Sequence, residues 1–224
     1  MIYIIENDPK VPSGYFEILL KSWKIEHKAL SIHAGLTWPR LYDGDGVIVL
    51  GGYMGANDEG EYPYLKTSTE NLKYAAENNT PILGICLGAQ LLAKSLGAQV
   101  HRNSRSEQGN SIVKTTEEGE KDPLLKGFIS SMAALQWHQD SFDLPEGSTL
   151  LAESDACPNQ IFRYKRAYGV QFHPEVTIDI VADWIQRKDA DPEILSQFIA
   201  AWPAYKEISE RLLGNFLKIC QTPD

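Results

Sequence analysis

The segment Pro81–Gln90, reading Pro-Ile-Leu-Gly-Ile-Cys-Leu-Gly-Ala-Gln, narrows the choice of fold more than any other stretch of the chain. A short apolar run, Ile82 and Leu83, enters Gly84-Ile85-Cys86-Leu87-Gly88, and a helical pattern follows at once. Ala89, Leu92, Ala93 and Leu96 recur at i, i+3, i+4 and i+7, and Gly97 stands where a helix C-terminus favours glycine. Cys86 therefore sits at a turn from a buried strand into a helix, with a glycine two residues to either side. Such a turn is sharp, needs small neighbours, and lifts its central side chain out at the end of a sheet. The helix N-terminus behind the sulfur also favours a thiolate, the reactive form. A structural cysteine in a core strand is the ordinary alternative. The paired glycines weigh against it, because glycine inside a regular element costs about 1 kcal/mol relative to alanine. Cys86 reads as a nucleophile.

The rest of the chain agrees with a strand-turn-helix unit of this kind. Met1–Ile5 is an apolar first strand that meets Glu6, Asn7, Asp8 and Pro9, too short an apolar run for a signal peptide. Phe16, Leu19, Leu20 and Trp23 mark one face of a helix, and a second strand is expected near Glu26–Ile32. Val47-Ile48-Val49-Leu50 is wholly apolar and rich in β-branching, which suits a parallel strand covered on both faces. It ends in Gly51-Gly52-Tyr53-Met54-Gly55, and a helix over Leu65–Asn78 precedes the strand that carries Cys86. Strands alternating with helices predict an α/β fold with a doubly wound, mostly parallel sheet.

Between Ala98 and Tyr168 the pattern changes. Short strand-like pieces at Ile112–Thr115, Thr149–Ala152 and Gln160–Tyr164 are separated by polar turns such as Glu117-Glu118-Gly119-Glu120, which predicts antiparallel additions at the sheet edge. Ala167–His173 returns as a strand. The C-terminal part is helical, with Ile178, Val181 and Ile185 on one face and Leu213, Phe216, Leu217 and Cys220 on a last one, so Cys220 reads as core. No linker or repeat interrupts residues 1–224, and a single domain is expected.

Composition excludes several partners. A net charge of −9 speaks against nucleic-acid backbones and anionic membranes, and no basic stripe with interleaved aromatics occurs. No run approaches the ~20 apolar residues of a membrane span. The three cysteines, Cys86, Cys157 and Cys220, lie far apart, which fits a reducing compartment and a cytoplasmic location better than a disulfide framework. No metal-ligand spacing is present, and neither a metal nor a cofactor is expected.

A cysteine nucleophile needs a base and a group to orient it. Of the five histidines, His173 in Gln171-Phe172-His173-Pro174-Glu175 is the best placed. In an extended chain residues i and i+2 share a face, so Glu175 can hold one ring nitrogen while the other faces a thiol. Pro174 stiffens the segment and keeps it from becoming a helix. Acyl transfer also needs donors for a developing oxyanion. The Leu87 amide, at the helix start, is one, and the Gly51-Gly52 loop can bring a second close to substrate.

These pieces in this order resemble the class I, Cys-His-Glu glutamine amidotransferases, over nearly the whole length and with a flavodoxin-like sheet. Within that family the chain is most similar to the glutaminase domain of GMP synthase and its stand-alone relatives, through Trp137-His138-Gln139-Asp140-Ser141-Phe142, Trp184 and Leu213-Gly214-Asn215-Phe216-Leu217. The resemblance implies that Cys86 attacks the side-chain amide of glutamine to form a γ-glutamyl thioester, with His173 as proton shuttle and Glu175 as its orienter. It implies an oxyanion hole from the Gly52 and Leu87 amides, and a grip on the amino-acid end of the substrate by Gln90 and the loop at Trp137, His138, Gln139 and Asp140. His138 is the other candidate base, and the resemblance favours His173. Tyr53 stands where the family usually has proline and Gln139 where glycine is common, with the bulky Trp137 two residues before, so a reshaped pocket is expected. No Gly-x-x-x-x-Gly-Lys phosphate loop occurs. Ammonia is then expected to pass to a separate synthetase partner. The alternatives are a stand-alone hydrolase of γ-glutamyl peptides and a non-catalytic ligand-sensing relative.

Overall fold

The computed structural model describes residues 1–128 and 130–222. In chain order the elements are β1 (Ile2–Glu6), α1 (Gly14–Ser22), β2 (His27–Ser31), β3 (Gly46–Val49), α2 (Tyr64–Glu77), β4 (Ile82–Ile85) and α3 (Leu87–Ser95). After these come β5 (Val100–His101), β6 (Glu107–Thr115), α4 (Glu117–Lys121), β7 (Ser131–His138), β8 (Ser141–Phe142) and β9 (Thr149–Glu153). The chain closes through β10 (Ile161–Tyr164), β11 (Ala167–Val170), α5 (Ile178–Lys188) and α6 (Glu193–Gln221).

A nine-stranded sheet runs in the order β2-β1-β3-β4-β11-β10-β9-β6-β7, and β5 pairs with β8 in a small second sheet. Pairing is parallel from β2 to β11 and antiparallel from β11 to β7. The doubly wound, mostly parallel sheet with antiparallel additions is thus as expected. Strand periodicity assigns the faces. Ile48 and Leu50 point to a core built with Phe16, Leu19 and Leu20 of α1 and Leu212, Leu213 and Phe216 of α6. Val47 and Val49 point to the opposite core, with Leu65 and Leu72 of α2 and Leu91 and Leu92 of α3. Cys220 is buried in the first of these cores. A third cluster, around Trp184, Phe198 and Tyr205, fills the space beyond the strand ends, next to Leu135 and Val176.

Several elements differ from expectation. Glu117–Glu120 is not an open turn but lies in α4, because Thr116 Oγ1 accepts from the Gly119 N–H at 3.0 Å and acidic residues fill the first turn. Trp137 and His138 are not loop residues; they end β7, a strand whose pattern of mixed burial gave no clean alternation. The strand before His173 stops at Val170. The last helix is 29 residues long and carries Pro203 inside it, where Phe198 and Tyr205 pack ring to ring across the proline at 4.8 Å. Among the described residues no helix is long and apolar enough to cross a membrane.

Candidate active site

Cys86 joins β4 to α3 with φ 50° and ψ −108°. A side chain rarely adopts this conformation, which costs about 1–3 kcal/mol and persists only where the surroundings hold it. They hold it from both sides. The Cys86 N–H continues the ladder to the Val170 carbonyl at 2.8 Å, and its carbonyl accepts the Gln90 N–H at 3.0 Å to start the helix. The flanking glycines are set by space. A Cβ on Gly84 would lie 2.6 Å from the Gly88 carbonyl oxygen, and one on Gly88 would lie 2.1 Å from that of Val49. Only glycine lets the helix start pack this closely on two strands.

His173 and Cys86 meet across Gly51. A Cβ on that glycine would lie 3.1 Å from His173 Cε1 and 3.6 Å from Cys86 Cβ. His173 Nδ1 is 2.8 Å from Glu175 Oε1, and the ring is in hydrogen-bond contact with the Cys86 thiol, which leaves Nε2 for the sulfur. Trp184 stands edge-to-face against the imidazole at 4.9 Å between centroids, its indole N–H donating to the Lys10 carbonyl at 2.9 Å. Burial works against a charged ring here. The charges of Glu175 and Cys86, with hydrogen bonds to both, outweigh it and raise the His173 pKa above its ordinary value. Glu175 is fully buried, and its Oε2 has no hydrogen-bond partner among the described residues. Its charge is left to act on the imidazole.

A cleft of about 700 Å³ opens over Cys86. Gly52, Gln90, Trp137, His138, Gln139 and Asp140 line it, while Leu87, His173 and Glu175 do not. A Cβ on Gly52 would lie 2.9 Å from Leu87 Cδ2, so these two residues are neighbours, and no hydrogen bond engages either N–H among the described residues. Gln90 Nε2 donates to the Asp140 carbonyl at 3.2 Å and to Gln171 Oε1 at 3.4 Å.

His138 has no free nitrogen for Cys86. Nδ1 bonds the Asp140 carbonyl at 3.0 Å and Nε2 meets Glu107 Oε2 at 3.3 Å. Glu107 stands directly across the ladder from His138 and also accepts from Ser154 Oγ at 2.9 Å and Gln160 Nε2 at 2.6 Å. The ligand atoms of Glu107, His138 and Cys157 lie within 4.8 Å of one another. The ligand atoms of Glu107 and His138 are already hydrogen-bonded, and burial pushes the Cys157 thiol up, which disfavours the thiolate a metal takes. Sequence reasoning missed Glu107, because its partner appears only once β6 and β7 are in register. It also missed Lys188–Asp191, which form the far wall of the cleft. Tyr53 is held without proline: its N–H donates to Asp8 Oδ2 at 3.4 Å, and its ring carries Lys188 Nζ 4.6 Å from the centroid.

A family model described as glutamine amidotransferase class-I matches residues 15–184. The glutamine amidotransferase-like protein YfeJ of Salmonella typhimurium is 32% identical over 199 residues, covering 79% of this chain and 83% of that protein. One of the subunits of the glutamine-hydrolyzing GMP synthase of Pyrococcus abyssi is 32% identical over 160 residues, 68% of this chain and 69% of its own length. The crystal structure of a glutamine amidotransferase from Thermotoga maritima superposes with a TM-score of 0.87 at 31% identity, over 97% of each chain. One from Methylobacillus flagellatus, at 24% identity, shares the fold with a TM-score of 0.88 over 100% of this chain and 96% of its own. With the turn at Cys86 and the His-x-Glu segment in its sequence, the chain belongs to the class I glutamine amidotransferases.

Proposed function

We propose that this chain, acting as one unit over residues 1–224, releases ammonia from glutamine through a γ-glutamyl thioester on Cys86. The observation that carries the reading is His173, seated between Glu175 Oε1 at 2.8 Å and the Cys86 thiol. The raised affinity of His173 for a proton lets it take the thiol proton and keep it as imidazolium. The sulfur attacks the amide carbon, the oxyanion lies toward the Gly52 and Leu87 N–H groups, and the imidazolium protonates the departing ammonia. Water then attacks the thioester with His173 as base, releasing glutamate and the thiol. The amino-acid end of the substrate is read as entering along the Trp137–Asp140 wall, a reading supported by Gln90, which ties α3 to Asp140. A cytoplasmic location fits three free cysteines.

Likeness to a protein named as one subunit of a GMP synthase supports delivery of the ammonia to a separate synthetase. Hydrolysis of γ-glutamyl peptides is the second reading, favoured by the size of the cleft. About 700 Å³ is room for a drug-sized ligand, larger than one amino acid. A ligand-sensing relative without catalysis accounts poorly for the intact Cys86-His173-Glu175 contact. The test is ammonia release from glutamine by the purified protein and by Cys86→Ala. Turnover in the first and none in the second is expected; equal turnover in both refutes the assignment of Cys86.

A further inference from the structure

The sheet that delivers His173 does not hold it. β11 ends at Val170, and His173 reaches the edge of β7 instead, where its N–H donates to the Leu135 carbonyl at 3.0 Å. A second link between the two residues runs through a side chain. The Tyr205 hydroxyl, from α6, donates to the His173 carbonyl, and the Leu135 N–H bonds that same hydroxyl. One turn further along α6, Ser209 Oγ donates to the Pro174 carbonyl at 2.6 Å. Both side chains are buried, Tyr205 at 1% and Ser209 at 0% exposure.

We infer that Tyr205 is a positioning residue for His173, its hydroxyl acting as a spacer between the His173 and Leu135 backbones that sets how far the imidazole stands from Cys86. The inference rests on the reading of His173 as the base for Cys86. The hydroxyl stands between the His173 carbonyl and the Leu135 N–H and bonds both. Phenylalanine at 205 keeps the ring packed on Phe198 and removes only this oxygen. The Leu135 N–H and the His173 carbonyl are then unpaired or close on each other, and either outcome moves the imidazole. A misplacement of about 1 Å costs ~10²-fold in rate. Burial, and then the charge of Glu175, hold the Tyr205 pKa well above the ordinary phenol value, so the hydroxyl stays a donor throughout the working range.

The test compares wild type, Tyr205→Phe and Ser209→Ala by kcat and KM for glutamine, and by iodoacetamide alkylation of Cys86 followed by peptide mass spectrometry from pH 6 to 9. Thermal unfolding checks the fold. Tyr205→Phe is expected to fold, to lose about 10–100-fold in kcat with KM within about threefold, and to shift Cys86 alkylation toward higher pH, since a thiolate without its imidazolium forms later. Ser209→Ala is expected to lower Tm and leave the alkylation profile in place. A folded Tyr205→Phe with an unmoved profile overturns the inference. So does a Tyr205→Phe that fails to fold, which makes the hydroxyl a folding determinant, or an equal shift in Ser209→Ala. Wild-type protein that releases no ammonia yet shows the Tyr205-dependent profile refutes the glutaminase reading alone.

Discussion

Glu175 Oε1 lies 2.8 Å from His173 Nδ1 in a segment that has already left the sheet, and both side chains are almost wholly buried. The pair is set by Pro174 between them and by contacts to β7, α1 and α6, including the Glu175 carbonyl that accepts the Tyr15 N–H at 2.6 Å.

This relationship makes a prediction about pH. The charges of Glu175 and Cys86 raise the His173 pKa against the effect of burial. The imidazolium is therefore retained as pH rises past the ordinary histidine value and is lost only through the raised one. In Glu175→Gln one source of that stabilisation is gone, and the basic limb of kcat/KM should move to lower pH. The variant should keep more activity than His173→Ala, which loses the general-base contribution of ~10²–10⁴-fold. A basic limb that stays in place would separate the carboxylate from the proton chemistry.

Gly88→Ala tests the packing behind Cys86. Its Cβ would lie 2.1 Å from the Val49 carbonyl oxygen, and a backbone atom cannot swing aside. A loss at or above the upper end of the ~1–3 kcal/mol typical of overpacking is expected in chemical denaturation. Gly60→Ala, with nothing within 4 Å of the new Cβ, should stay within about 0.5 kcal/mol. Similar losses in both would contradict the account of the turn.

The turn at Cys86, the parallel half of the sheet and the His-x-Glu pair were legible in the sequence because each rests on local spacing. Val47–Leu50 and Ala89–Leu96 show their periods without help from distant residues. What stayed hidden depends on partners far along the chain. β7 is an edge strand whose outer side meets His173 and Tyr205, so its residues follow no simple alternation. Glu107 gains meaning only opposite His138, and α6 extends across Pro203 because its aromatic residues pack over the site. Tyr53, Trp137 and Gln139 all line the cleft.

Glu107→Ala should leave His138, Ser154 and Gln160 short of a partner and destabilise by about 1–3 kcal/mol. Because His138 and Asp140 line the cleft, KM for glutamine should rise more than kcat falls. Glu107→Gln, which keeps an acceptor, should recover most of the stability. An unchanged KM in folded Glu107→Ala would remove this network from substrate binding.

Substrate choice is read from kcat/KM for glutamine and for a γ-glutamyl dipeptide on the purified protein. Preference for glutamine is expected, with acceleration by a synthetase partner. A preference of about 100-fold for the dipeptide, equivalent to about 2.7 kcal/mol of differential transition-state binding, would establish the peptidase reading instead.

The most direct test of the central claim is mass spectrometry of protein mixed with glutamine and quenched in acid within the first turnovers. A glutamyl adduct on the peptide containing Cys86, absent from Cys86→Ala and decaying as glutamate appears, is the predicted result. Ammonia released with no adduct on Cys86, or with the adduct on another residue, would contradict it.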